Sequence, residues 1–182
     1  MKKSLNKYYF DKEVCLLEIT RTNLETHTFF FDKKFYEQVS YYHWTYNIGY
    51  AYSKIDNKYV SLHVFLIKIS DNFIEGSFVD HIDGNTKNNL LSNLRICTHQ
   101  ENCRNTHKRP MPSHLGENKI IGVRKDPRCA NSWRAQIYYD KKKHKEKTFR
   151  DEKEAIIQRL KWEKEFFGEF APQRSLFPLY NI

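Results

Sequence analysis

The sequence predicts an α+β protein. A β-rich N-terminal part leads into a short strand–loop–strand–helix unit, and a small three-stranded antiparallel sheet packed on one helix follows. Three observations carry this prediction. Residues 13–69 hold β-branched and aromatic residues in short runs (VCLLEIT, HTFFF, GYAYSKI, YVSLHVFLIKI) separated by turn residues. Residues 78–95, FVDHIDGNTKNNLLSNLR, place four asparagines and two aspartates with one histidine between an apolar strand and a helix signal. From Lys119 to Arg150 there are 11 basic against 3 acidic residues, a net +8, in a stretch that alternates apolar and polar before turning helical.

Each element has a local cause. The four N-terminal runs read as strands, with KIDNKY as a hairpin connection between the last two. SFVDHI reads as a strand that ends at Asp83-Gly84-Asn85, a turn signal. LRIC is the next short strand. Thr98 with Glu101 three residues on forms a capping box that opens a helix to about Lys108. Residues 109–118, RPMPSHLGEN, read as a linker between a domain over 1–108, whose polar motif occupies 79–108, and a second over 119–170. Residues 171–182 read as a tail. In the second domain Trp133, Ala135, Ile137 and Tyr139 alternate with Arg134, Gln136 and Tyr138, giving an inward and an outward face. Lys143, Lys145 and Lys147 are expected to continue the outward set on the next strand. Asp151 with Glu154 caps a helix whose Ile156, Leu160 and Phe167 line an apolar stripe, and Gly168 sits at the C′ position.

Composition bounds the function. The 182 residues are 40% hydrophobic, and no apolar run reaches the ~18 residues that span a bilayer, so no membrane partner is expected. The start MKKSLNKYYFDKEV is basic without an apolar core, so no secretory leader is expected. Cys15, Cys97, Cys103 and Cys129 form no CxxC pair, which suits reduced thiols in a cytoplasmic setting rather than a disulfide framework or zinc knuckle. The net charge of +9 implies a polyanionic partner, because cations near phosphates release condensed counterions, and its concentration in one segment implies a binding face.

The polar segment suggests chemistry. Asp80 is a hard oxygen ligand, and Asn102, one turn into the helix, offers an amide carbonyl; the pair suits magnesium or manganese, which needs few protein ligands beside phosphate. His81 suits a general base because imidazole titrates near neutrality. Asn93 suits the hydrogen bonding of a long loop, and Arg95 and Arg104 suit phosphate contacts, with a structural role under the loop equally open to Arg95.

VDHIDGNTKNNLLSNLRICTHQENCRN resembles the HNH (ββα-metal) nuclease motif, in the form found in phage and intron-encoded homing endonucleases. The upstream aromatic segment DKKFYEQVSYYHWTYNIGYAYS and the histidine of SLHVFLIKI resemble what precedes the motif in that family, although His63 is followed by valine where relatives carry arginine. The resemblance implies that Asp80 and Asn102 hold the metal, His81 activates water and Asn93 buttresses the loop. It implies a site-selective, strand-nicking DNA endonuclease in the cytoplasm of a bacterial or phage-infected cell, nicking as a monomer or breaking both strands as a dimer. The second domain, over 119–170, resembles an APETALA-type DNA-binding domain through GVR, WRAQI, KTF and EKEAI…FGEFA. By position this implies double-stranded DNA contacts from Arg124, Arg134, Gln136, Tyr138, Lys143 and Lys145. Two other readings stand beside it: an inert HNH fold acting as a DNA-binding regulator, and an RNA-binding module using its 12 tyrosines and 13 phenylalanines.

Overall fold

The computed structural model describes residues 6–104, 120–129, 131–139 and 142–182, without the side chain of Arg104. The linker expected over 109–118 and the helix end expected at Lys108 lie outside the described residues. The chain divides into two compact units, Met1–His99 and Gln100–Ile182.

In the first unit β1 (Lys7–Asp11), β2 (Val14–Thr20) and β3 (Thr26–Asp32) form an antiparallel meander. Period-two alternation buries Cys15, Leu17 and Ile19 of β2 beside Phe29 and Phe31 of β3. A short helix α1 (Tyr36–Ser40) leads to a second antiparallel sheet of β4 (Thr45–Asn47), β5 (Tyr50–Ile55) and β6 (Lys58–Ser61). The β5–β6 turn is Asp56-Asn57, with φ of 47° and 63°, the left-handed pair that a two-residue hairpin favours. The apolar run after Tyr59 is not one strand. Pairing stops at Ser61, and Leu62–Ile69 is a helix, α2, because Leu62, Phe65, Leu66 and Ile69 recur at helical spacing and set one stripe into the core. Trp44, fully buried, anchors that core and donates from its indole to the Val39 carbonyl at 2.8 Å. β7 (Phe78–His81) and β8 (Leu94–Cys97), the two strands expected there, pair antiparallel, and α3 (His99–Arg104) follows.

The second unit holds β9 (Val123–Lys125), β10 (Trp133–Tyr139) and β11 (Lys142–Phe149) in the order β11-β10-β9, covered by α4 (Glu152–Phe167). Ala135 and Ile137 pack with Ala155, Ile156, Leu160 and Trp162, so the inward face is the predicted one. The Asp151 carboxylate caps α4 by accepting from the Glu154 amide at 3.2 Å. Gly168 has φ 51° but ψ −124°, so the helix stops in a glycine-tolerant conformation that is not the left-handed helical one. Lys145 and Lys147 do not extend the outward set. A bulge between Ile137 and Tyr138 pairs Lys145 with Ile137 and Lys147 with Ala135, the helix-side residues, and leaves Lys143 opposite Tyr138. Lys145 accordingly donates to both oxygens of Glu165 on α4, at 2.6 and 2.7 Å.

The tail folds onto this unit: Leu176, Phe177, Tyr180 and Ile182 pack against its core. Gly122 has φ 81°, and a Cβ there would run into Arg159 and the Gln136 carbonyl. No helix among the described residues is long and apolar enough to cross a membrane.

Candidate active site

The β7–β8 hairpin sets the register of the candidate residues. Asp80 stands opposite Arg95, and His81 opposite Leu94. Asp80 and His81 are both buried. The Arg95 guanidinium donates to Asp80 Oδ2 through Nε at 3.0 Å and Nη2 at 2.8 Å, so of its two predicted roles the structure displays the ion pair beneath the loop. Such a pair offsets part of the carboxylate's desolvation cost.

The loop between the strands is held by its own amides. Asn93 donates to Asp83 Oδ1 at 2.9 Å and to the Asn88 carbonyl at 2.8 Å, and accepts from the Asp83 amide at 3.1 Å. Asn88 donates to Asp83 Oδ2, and the Asn85 amide to Asp83 Oδ1. Burial alone would raise the Asp83 pKa, but the hydrogen bonds from Asn85, Asn88 and Asn93 outweigh it and hold the carboxyl below its ordinary range. The loop is also tied outward. Asn89 and Lys87 exchange backbone bonds with Phe30 at 2.8 Å each, the Leu91 amide donates to Asp32, and Thr86 donates to the Gly49 carbonyl. Gly49 supplies the positive φ of 87° that turns the β4–β5 hairpin towards it.

His81 lies in a wall of rings. His63, on α2, is 4.9 Å from it between centroids, and Tyr50, at the start of β5, is 6.2 Å away. Burial, aided by His81, holds the His63 pKa down at about 3, so His63 is neutral. Burial, then the charges of Tyr52 and Asp80, push the Tyr50 phenol above its usual range, so it stays protonated. Asn89, only 1% exposed, sets its Oδ1 3.1 Å from His81 Nε2. Neither Tyr50 nor Asn89 stands out in the sequence as a site residue. The doubled asparagine Asn88-Asn89 was the available signal, since one of an adjacent pair turns inward.

Asn102 lies on α3, partly buried, in the second unit, while Arg104 closes α3 with its side chain outside the described residues. Among the described residues no three His, Cys, Asp or Glu side chains form a metal cage. A hard cation needs none, since it keeps waters and takes one or two protein oxygens with substrate phosphate. The buried Asp80 carboxylate fits that demand, whereas a soft ion seeking several nitrogen or sulfur ligands would not be served.

The sheet of the second unit separates its candidates. Tyr138 is 53% exposed, Gln136 is partly buried opposite Glu146, and Arg124 is exposed opposite Arg134. Arg134 is itself buried, with its Nη2 on Asp126 at 2.8 Å. Asp126 also receives Arg128 and Thr148, an acidic anchor beneath the basic surface that the charge count did not suggest.

Residues 74–104 match the family model described as HNH endonuclease. The matched stretch contains Asp80, His81, Asn93 and Asn102. No curated protein and no solved structure gives a significant match to the chain.

Proposed function

We propose that this chain is a metal-dependent, site-selective DNA endonuclease of the HNH homing type that nicks one strand. The observation that carries the reading is the buried His81, held at the end of β7 against Asn89 inside the stretch that matches the nuclease family. In this reading His81 takes a proton from the attacking water, and Asn93 keeps the loop in the shape that presents His81. Asp80 and Asn102 would hold magnesium or manganese, which when bound would polarise the scissile phosphate and offset charge on the leaving 3′ oxygen. Arg95 balances the Asp80 charge from the opposite strand, and Arg104 contacts phosphate.

The second unit would add affinity and position as an APETALA-like DNA-binding domain. Its sheet presents Arg124, Gln136, Tyr138 and Lys143 on the face away from α4, a set suited to phosphate and base-edge contacts in a groove. Arg134 supports that face from beneath through Asp126.

The test is cleavage of supercoiled and genomic DNA with magnesium, with EDTA, and by His81→Ala. Expected are metal-dependent nicking and a loss of about 10²–10⁴-fold in His81→Ala, the usual share of a general base, with DNA binding retained. Binding without cleavage by the wild type, in manganese as well, would identify a DNA-binding regulator instead.

A further inference from the structure

An imidazole works as a base through one nitrogen only, and which one is set by the partner of the other. Asn89 makes that choice legible. Its backbone amide donates to the Phe30 carbonyl at 2.8 Å, so the residue is pinned to β3. Its side-chain Nδ2 donates to the Lys87 carbonyl at 3.0 Å and reaches the Thr86 carbonyl at 3.4 Å. Both of those groups only accept, so the amide nitrogen must face them; a flipped amide would set oxygen against two carbonyl oxygens. Oδ1 is thereby turned to His81 Nε2 at 3.1 Å. An amide oxygen also only accepts, so Nε2 must be the donor. In the neutral ring the lone pair then belongs to Nδ1. The flanking rings of His63 and Tyr50 oppose reorientation of the imidazole.

We infer that Asn89 is a positioning residue that fixes His81 as its Nε2–H tautomer and makes Nδ1 the nitrogen that accepts the proton of the attacking water. The inference rests on the reading of His81 as the base. The water proton passes to Nδ1, the water oxygen bonds to phosphorus, the bond from phosphorus to the 3′ oxygen breaks, and that oxygen takes a proton from solvent. A carboxylate at position 89 would also accept from Nε2. It would, however, give up the two donations to Thr86 and Lys87 that orient the group.

The experiment is a long-range proton–nitrogen correlation on the 15N-labelled full chain over a pH series, without DNA or metal, with His81 assigned by His81→Gln. Recorded at a pH where the ring is neutral, the expected spectrum shows His81 protonated at Nε2 and bare at Nδ1; a neutral ring with its proton on Nδ1 overturns the inference. Asn89→Leu should abolish the single tautomer and lower kcat by about 10- to 100-fold with little change in KM for DNA. Asn89→Asp, which keeps an acceptor, should retain Nε2–H and recover part of that loss. An Asn89→Leu protein with unaltered tautomer and turnover overturns the inference, and should that variant fail to fold, the wild-type and Asn89→Asp spectra decide. If the wild type cleaves no DNA, the nuclease reading falls while the ring-nitrogen spectrum still reports on Asn89.

Discussion

His63 shows at the level of one residue how burial beside the site becomes a measurable property. In the unfolded chain its imidazole titrates near 6.5, and in the folded chain burial first, then His81, lower that to about 3. Between those values the unfolded state binds a proton that the folded state refuses, so stability falls as the solution is acidified through that window and is insensitive above it. The slope cannot exceed about 1.4 kcal/mol per pH unit for one proton. Urea unfolding at about pH 7, 5.5 and 4.5 should therefore show a steeper loss in the wild type than in His63→Phe, which fills the site with an uncharged ring. Parallel losses would mean that His63 is protonated in the folded protein. The sequence marked His81, Asp80 and Asn93 because short polar residues at motif spacing stand out locally. It left Tyr50 and Asn89 unmarked because their roles come from strands β5 and β3 meeting the loop, a contact between segments distant in the chain.

Elements show a second limit on what is legible. The strands β2, β5, β7 and β8 follow from alternation and turn residues, and the α4 cap from Asp151 and Glu154. The helix α2 was hidden because an apolar run of eleven residues satisfies both a buried strand and a helix, and only the Leu62, Phe65, Leu66, Ile69 spacing separates them. The β11 register was hidden because a bulge shifts every later side chain to the other face, and no turn signal announces it. That shift has a consequence for binding. Lys143 stands on the face with Tyr138, while Lys145 reaches Glu165 on the helix side. Lys143→Ala should weaken duplex DNA binding and reduce the magnitude of its log–log salt slope by about one, whereas Lys145→Ala should leave the slope unchanged. Filter binding over a salt series distinguishes them, and equal losses would mean that DNA engages the edge of the sheet rather than its free face.

For the whole molecule, the division into two units has an energetic counterpart in how the second one is closed. Glu163 is fully buried, which is costly for a carboxylate unless its oxygens are filled. Arg159 donates to it at 2.6 Å, and Gln173 donates through its backbone amide and, at 2.8 Å, through its side chain. The Gln173 side-chain Oε1 in turn accepts from the Ile121 amide at 2.8 Å. One side chain thus ties helix α4, the tail and the entry to β9 together, all within Gln100–Ile182. Gln173→Leu keeps approximate volume but removes one of the three donors to Glu163 and the side-chain partner of Ile121, and should cost about 2 kcal/mol, the scale of leaving buried polar groups under-bonded. If the two units unfold separately, calorimetry of the full chain will show two transitions and Gln173→Leu will lower only one. Below that transition Gln173→Leu should nick DNA with magnesium as the wild type does, because the loop around His81 is built from the first unit. A single transition that moves as a whole would show instead that the units fold as one cooperative body.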